Sequence, residues 1–166
     1  LYLELSDHQK AINCYKNAIK INPKFFVSHY NLGVVYKNIG KFDEARKHLE
    51  ESVKLKTHFY TAHRILSQIT KYEINDNHFN FLKNSYENTT INNEQKAEIA
   101  FALGKASEDI MNFDKAFKYY KDGNDYRRKV IDFSIEGEKE EFANIKKIFN
   151  RNFFDKFKKN ENLDST

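Results

Sequence analysis

The amino-acid sequence predicts an all-α protein built from helical hairpins that repeat along the chain. Side chains of matching size return at an offset of 34 positions over much of the 166 residues, and a fixed period of this length is typical of stacked helical repeats. Apolar residues within one period follow the helical spacing i, i+3, i+4. The chain has one Pro and five Gly, fewer than a protein with many tight β-turns would need.

Individual residue pairs carry the repeat. At an offset of 34, the following residues align with preserved size: Tyr2 and Tyr36, Ala11 and Ala45, Tyr15 and Leu49, Ala18 and Ser52, His29 and His63, Leu32 and Leu66, and Gly33 and Ser67. An offset of 71, which is two periods plus three residues, aligns GKFDEA at 40–45 with MNFDKA at 111–116. The same offset aligns Gly33 with Gly104. We therefore predict the same loop between two helices at both places.

The first unit is predicted to be incomplete. Residues 1–21 should hold the end of one helix, truncated near Tyr2, and the whole of its partner helix. The sequence does not begin with Met, so we expect a fragment of a larger protein. The partner helix should expose part of an apolar face at Ile12, Tyr15 and Ile19, because a solenoid without a cap leaves such a face uncovered. Self-association through this uncapped repeat is the expected consequence.

Three further units follow in chain order. Pro23 should stop the first unit and Gly40 should end the first helix of the second. Gly33 and Ala45 should face each other where the two helices of that unit approach closely. The second helix of the third, degenerate unit should bury Phe79, Leu82 and Tyr86. The fourth should have an unusually long second helix. The predicted spans are about 25–55, 59–88 and 93–132, which gives about 3.5 to 4 repeats in all.

The last part of the chain should be a helical extension. After Gly137, one or two helices are predicted, with an apolar face formed by Phe142, Ile145, Ile148 and Phe149. The predicted domains are a repeat array over 1–132, a helical extension or linker over 133–159, and a flexible tail over 160–166.

These features resemble the tetratricopeptide repeat. The residues that carry the resemblance are the Leu-Gly-x-x-Tyr run at 32–36, Ala45 and Pro23. The resemblance covers roughly residues 2–130 and implies a solenoid whose first helices line a concave, protein-binding face. The usual Trp early in the first helix is replaced by His29 and His63, and the usual Pro by Thr57.

Residues 100–129 are also similar to the last repeat of bacterial proteins that join tetratricopeptide repeats to a sulfotransferase. The shared residues are Ala102-Leu103-Gly104-Lys105, Glu108-Asp109, Phe113-Asp114, Ala116-Phe117, Tyr120, Gly123-Asn124 and Arg127-Arg128. This resemblance implies that a catalytic domain binding the sulfate donor PAPS would follow residue 166. The chain would then be the accessory N-terminal region of a sulfotransferase, and the basic segment 127–129 would face the anionic donor. The alternative for that segment is a solvated helix face.

A binding groove is predicted on the inward stripe of the first helices. Its residues are Val27, Tyr30, Asn31, Val34 and Lys37 in the second unit, Arg64, Gln68 and Lys71 in the third, and Phe101 and Lys105, beside Glu98, in the fourth. Cations outnumber acids on this stripe, and aromatic side chains accompany them. Charge-assisted hydrogen bonds and side-chain burial would suit an acidic peptide. We therefore predict a non-catalytic scaffold that binds a protein or an acidic peptide through its concave face.

Other functional classes have less support. His58 and His63 are five positions apart, off the i, i+4 spacing of paired helical metal ligands, and packing explains His29 and His63, so no metal site is predicted. No nucleophile elbow or glycine-rich phosphate loop occurs, so neither catalysis nor a cofactor is expected within this chain. The net charge of +4 without a groove-reading motif argues against nucleic acid. No apolar run is long enough for a membrane span, and the lone Cys14 and lack of a signal peptide favour a cytoplasmic location.

Overall fold

The computed structural model describes residues 2–131 and 134–155, and every regular element among them is helical. The helices are α1 (Tyr2–Ile21), α2 (Phe26–Asn38), α3 (Phe42–Leu55), α4 (Tyr60–Gln68), α5 (Asn77–Glu87), α6 (Asn93–Asp109), α7 (Phe113–Val130) and α8 (Ile135–Ile148). The predicted all-α class with repeated helical hairpins is therefore confirmed. The chain divides into two compact units, Leu1–Val130 and Ile131–Thr166. The predicted tail at 160–166 lies outside the described residues.

Helix α1 differs from the prediction for the first unit. It runs as one helix of 20 residues, so the expected end of one helix and start of its partner do not occur. The reason lies at the position that should have held the loop. In the second unit Gly40 breaks the helix with φ of +78°, a conformation that glycine adopts at little cost. The residue aligned with it is Ser6, so the sequence supplies no glycine at this point of α1.

The apolar side of α1 packs on α2. Ile12 is buried in one cluster with Leu32 and Ala45, and Tyr15 and Ile19 pack partly buried against the same cluster. The expected exposure is therefore wrong for Ile12, whereas Tyr15 and Ile19 remain partly exposed. Helix α1 packs on α2, and these residues take part in that contact. The expected self-association stays a prediction.

Two glycines let the helices of the second and fourth units approach closely. A Cβ on Gly33 would lie 2.7 Å from Cγ of Leu49 and 3.2 Å from the carbonyl oxygen of Ala45. A Cβ on Gly104 would lie 2.7 Å from ring atoms of Tyr120. In both hairpins the contacting residue follows its glycine by 16 positions. The predicted close approach at Gly33 and its equivalence to Gly104 are confirmed.

The loops inside these two hairpins share one backbone geometry. The N–H of Lys41 donates to the carbonyl of Tyr36, and the N–H of Asn112 donates to the carbonyl of Ser107, each at 2.9 Å. The offset of 71 places Met111 where the first loop has its glycine, and Met111 also has a positive φ, of 59°. The repeat therefore imposes a left-handed residue here even where the sequence does not supply glycine.

The histidines of the repeat occupy buried positions, as predicted. His29 is 8% exposed and His63 is 4% exposed. The Nε2 atom of His29 lies 3.1 Å from the carbonyl oxygen of Pro23, and a carbonyl only accepts, so this nitrogen carries the proton. Its Nδ1 then accepts from Nδ1 of His48 at 3.2 Å. The pair joins α2 to α3.

A longer chain of hydrogen bonds joins α4 to α5. The Nε2 atom of His63 donates to the carbonyl of Thr57 at 2.8 Å, so its Nδ1 accepts from Nε2 of His78 at 2.8 Å. The Nδ1 atom of His78 in turn accepts from the hydroxyl of Tyr72 at 2.7 Å. Every member has a fixed donor or acceptor role only while both imidazoles are neutral.

The third and fourth units confirm the sequence expectations for their second helices. Phe79 and Leu82 of α5 are buried, and Tyr86 packs partly buried against the same core cluster. Helix α7 is 18 residues long, four more than α3. Helix α4 has 9 residues and is the shortest of the eight helices α1 to α8.

The second compact unit contains α8. Its first turn is capped by Ser134, whose hydroxyl accepts from the N–H of Gly137 at 3.2 Å. The predicted apolar face is present as exposed side chains at Phe142, Ile145, Ile148 and Phe149. Beyond the helix, the rings of Phe149 and Phe153 meet edge to face with centroids 5.0 Å apart.

Candidate functional site: the inner face of the first helices

The first helices of three successive hairpins lie side by side and form one surface, here called the inner face. Lys37 on α2 donates to Oε1 of Gln68 on α4 at 2.6 Å. Arg64 on α4 donates through Nε to Oε2 of Glu98 on α6 at 2.6 Å. The inner face therefore runs from α2 through α4 to α6 and contains the predicted groove residues of these helices.

The apolar members of the predicted groove on α2 are partly covered. Tyr30 and Val34 pack partly buried against a core cluster formed with α3 and α4. The ring of Tyr30 also meets that of Phe59 edge to face, with centroids 5.0 Å apart. Val27 and Asn31 are half-buried on the same helix. The α2 end of the inner face is thus mainly an aromatic and aliphatic surface.

The sequence pattern predicts that Lys71 lies on the first helix of the third unit. This prediction is wrong, because α4 ends at Gln68. Side chains from other helices donate hydrogen bonds to the carbonyl groups of the two residues after α4. Nη2 of Arg46 donates to the carbonyl of Ile69 at 2.5 Å, and Nζ of Lys105 donates to the carbonyl of Thr70 at 2.5 Å. Terminal carbonyls without intrahelical partners need such donors. The side chain of Lys71 is 83% exposed, with its Nζ 4.0 Å from Oδ1 of Asp109.

Four of the ten predicted groove residues meet in one cleft between α4, α6 and α7. This inner cleft has a volume of about 210 Å³, and its lining residues are Arg64, Ser67, Gln68, Phe101, Lys105 and Tyr120. Two glycines give its aromatic rings their positions. The Tyr120 ring lies against Gly104, and a Cβ on Gly123 would lie 3.0 to 3.2 Å from ring atoms of Phe101.

Two acids beside the inner cleft hold its cations. Glu98 is 5% exposed and accepts from both Arg64 and Arg127. Asp109 has a side chain 12% exposed and forms an ion pair with Lys105. Buried carboxylates of this kind are stable only when paired and hydrogen-bonded, so both acids fix the side chains that bind them.

The electrostatic balance of the inner face is positive. Five cations (Lys37, Arg64, Lys71, Lys105 and Arg127) face three acids: Glu98, Asp109, and Glu108, which accepts from the hydroxyl of Tyr120 at 3.0 Å. The tyrosines add no charge near neutral pH. Burial and then the hydrogen bond to Glu108 raise the pKa of Tyr120 to about 12, and burial followed by the nearby Glu98 raises the pKa of Tyr30.

Two family models match the N-terminal part of the chain. A model described as "TPR repeat" matches residues 1–40, and one described as "Tetratricopeptide repeat" matches residues 26–59. Both models describe the tetratricopeptide repeat. Solved structures that match the chain include "Crystal structure of MamA", which is 21% identical, covers 76% of this chain and 92% of that chain, and has a TM-score of 0.43. No curated protein matches the chain.

The two family models support the tetratricopeptide resemblance over residues 1–59, where α1, α2 and α3 lie. Tetratricopeptide repeats are typical of protein-interaction scaffolds, and this agrees with the predicted class of function. Both family models end before residue 60, so the similarity of residues 100–129 to sulfotransferase fusion proteins stays a prediction. The bacterial source and the cytoplasmic location also stay predictions.

Four residues at or beside the inner cleft are absent from the predicted groove. Ser67 and Tyr120 line the inner cleft, and Asp109 and Arg127 belong to its ion pairs. The spacing of 16 positions between Gly33 and Leu49 could have placed Tyr120 next to Gly104. No such signal existed for Arg127. It belongs to the segment predicted to face an anionic donor or solvent, and in the structure it donates to the buried Glu98.

Two further properties follow from the described residues. No group of three or more His, Cys, Asp or Glu side chains in 2–131 and 134–155 is placed to hold a metal ion. None of the helices in those ranges combines the length and hydrophobicity that a bilayer crossing requires.

Proposed function

We propose that the helical array of residues 2–130 is a scaffold that binds a protein partner along its inner face, and that the partner contributes an acidic segment. The observation that carries the proposal is the continuity of this face. Hydrogen bonds from Lys37 to Gln68 and from Arg64 to Glu98, each at 2.6 Å, align three first helices. An extended or helical segment could contact all three at once.

The charge of the inner face supports an acidic partner over a basic one. Its acids are occupied, because Glu98 accepts from two arginines, Asp109 is paired with Lys105 and Glu108 accepts from Tyr120. Lys37 and Lys71 add positive charge at the ends of the first helices. A partner carboxylate would form charge-assisted hydrogen bonds here, whereas a partner Lys or Arg would meet an excess of like charge.

The aromatic end of the face would contribute apolar contact area. The rings of Phe26, Tyr30 and Phe59 lie in contact, with centroid distances of 5.1 Å and 5.0 Å from Phe59 to the other two. Aromatic side chains are enriched at the energetic centres of interfaces. The supported ligand is therefore a segment that combines carboxylates with aliphatic or aromatic residues.

The test compares three fluorescein-labelled 12-residue peptides that share the same leucine positions. One carries Glu, one Gln and one Lys at all other positions, and anisotropy is measured with the full chain at 150 mM salt. We expect micromolar binding of the Glu peptide and at least tenfold weaker binding of the other two. The double variant Lys37→Glu, Lys71→Glu should weaken the Glu peptide at least tenfold.

The matched control is Lys47→Glu, Lys54→Glu, which makes the same charge change on α3, outside the inner face. It should change the affinity less than twofold, because charges more than about 8 Å away are screened at this salt concentration. Equal binding of the Glu and Lys peptides would refute an acidic partner. An equal loss in the control variant would show that net charge, and not the inner face, determines binding.

A further inference from the structure

The inner cleft presents hydrogen-bond donors that are held in place from outside it. Arg64 lines the cleft, and its Nε donates to Glu98 at 2.6 Å, while Glu98 is not among the residues that line the cleft. The second oxygen of Glu98 accepts from Arg127. A guanidinium has five N–H donors, so a single bond through Nε fixes the plane of Arg64 and leaves its Nη groups as donors for a ligand.

Lys105 and Gln68, which also line the cleft, are held by partners outside it in the same way. Lys105 donates to the carbonyl of Thr70 and to Asp109, and neither acceptor lines the cleft. Gln68 accepts from Lys37 through Oε1 at 2.6 Å, so the amide group that it can offer as a donor is the NH2 group. The cleft thus has three oriented donors, two of them cationic.

The remaining wall is mostly apolar. Phe101 and Tyr120 contribute two aromatic rings, each seated against a glycine of the facing helix. Tyr120 donates its hydroxyl to Glu108 at 3.0 Å. The six lining residues include no Asp or Glu. The volume of about 210 Å³ corresponds to about seven water molecules, which suits a short side chain and excludes a folded segment.

We propose that the inner cleft is a subsite for one carboxylate carried on a short apolar or aromatic stem. The proposal rests on the proposed function, since the cleft lies on the same inner face, and it adds the anchor residue of the acidic partner. The carboxylate accepts from Arg64, Gln68 and Lys105 while the stem packs on the two rings. Because the donors are already oriented in the free protein, binding the ligand costs little further side-chain entropy.

The test uses a small probe, so that it is independent of any long peptide. The ¹⁵N-labelled full chain is titrated with 3-phenylpropionate and, separately, with the neutral isostere 3-phenylpropanamide, and amide chemical shifts are followed. We expect the carboxylate to shift the resonances of Ser67, Gln68 and Lys105 with a millimolar Kd. The neutral isostere should bind at least tenfold more weakly. Equal binding of the two probes, or shifts confined to other helices, would overturn the proposal.

Single variants test whether the carboxylate binds in the inner cleft. Lys105→Met should weaken the carboxylate at least fivefold, and Lys115→Met, the same change at an exposed site on α7, should leave it unchanged. Lys105 also holds the end of α4, so a second variant avoids that role. Gln68→Leu alters an exposed side chain and should weaken binding at least twofold. Unchanged affinity in both Lys105→Met and Gln68→Leu would contradict the assignment.

The carboxylate could come from a glutamate side chain or from the C-terminus of the partner. The peptides acetyl-Ala-Glu-Phe-amide and acetyl-Ala-Gln-Phe with a free C-terminus separate these sources, and binding of either at the cleft supports the subsite. If the 12-residue Glu peptide binds the inner face but no small carboxylate shifts the cleft, the subsite alone is refuted. If the small probe binds and the Glu peptide does not, the proposed function is refuted and the subsite stands.

Discussion

Acidification should destabilise the array through His63. Desolvation by burial is the main reason that the pKa of this side chain is lowered from 6.5 to about 4. The bond to the Thr57 carbonyl acts in the opposite direction, and the neighbouring His78 and His58 lower the pKa further. Protonation at Nδ1 would also replace the acceptor for the His78 N–H with a second donor. The folded state therefore resists a proton that the unfolded chain accepts.

The direction and size of this pH effect on stability follow from the linkage between proton binding and folding. Since the folded pKa is depressed, the unfolded state binds more protons below pH 6.5, and stability falls as the pH drops from 6.5 towards 4. Between pH 7.5 and pH 5, one histidine with these two pKa values lowers the free energy of unfolding by about 2 kcal/mol. His78, whose pKa burial also lowers despite the opposing effect of Asp76, acts in the same direction. His48, with a pKa of about 4, adds a smaller effect because it is only half-buried.

The assay is urea unfolding of the full chain at pH 7.5 and pH 5.0 at constant ionic strength. With an m-value of about 2 kcal/mol/M, we expect the midpoint to fall by at least about 1 M. His63→Gln keeps an N–H for the Thr57 carbonyl but does not titrate, so its pH dependence should be smaller by about 2 kcal/mol. His8→Gln on α1, whose side chain is not among the groups that act on His63, is the control and should retain the dependence of the wild type. A His63→Gln protein with an undiminished pH dependence would refute the reasoning.

Three further predictions concern the free energy of unfolding, measured by the urea midpoint at pH 7.5. Gly104→Ala should cost about 2 kcal/mol, because its Cβ would lie 2.7 Å from the Tyr120 ring; an unchanged midpoint would mean that the ring moves without penalty. Met111→Gly should stabilise by about 0.5 to 1 kcal/mol by relieving a left-handed residue, and Gly40→Ala should cost a similar amount; the same sign for both would contradict the shared loop geometry. Asn92→Ala should cost about 1 kcal/mol, since it removes the capping box of α6, and a loss under 0.3 kcal/mol would contradict that role.

The repeated hairpins could be predicted because the signals involved are local and periodic. Gly33 and Ala45 belong to one hairpin, and the spacing between them is fixed by two helices and a short loop. The prediction from this periodicity is wrong at α1. The pattern of apolar residues continues there, but the position equivalent to Gly40 holds Ser6. The prediction is wrong again at Lys71, because α4 ends where Arg46 and Lys105 take its last carbonyls. A helix end set by donors from other helices leaves no mark in its own sequence.

The charge of the inner face shows why a stripe of cations in a sequence is not yet a binding site. Counting along the first helices finds Arg64, Lys105 and Glu98. It does not show that Glu98 and Asp109 pair with these cations, or that Arg127 on α7 joins them. The side chain of Glu98 is 6% exposed between two arginines, so it orients Arg64 and offers no accessible carboxylate to a ligand. If these acids lay in the cleft, they would compete with a partner carboxylate. Because the acids lie outside the cleft, they fix the side chains of Arg64 and Lys105 as hydrogen-bond donors. The position of these acids depends on contacts between successive repeats.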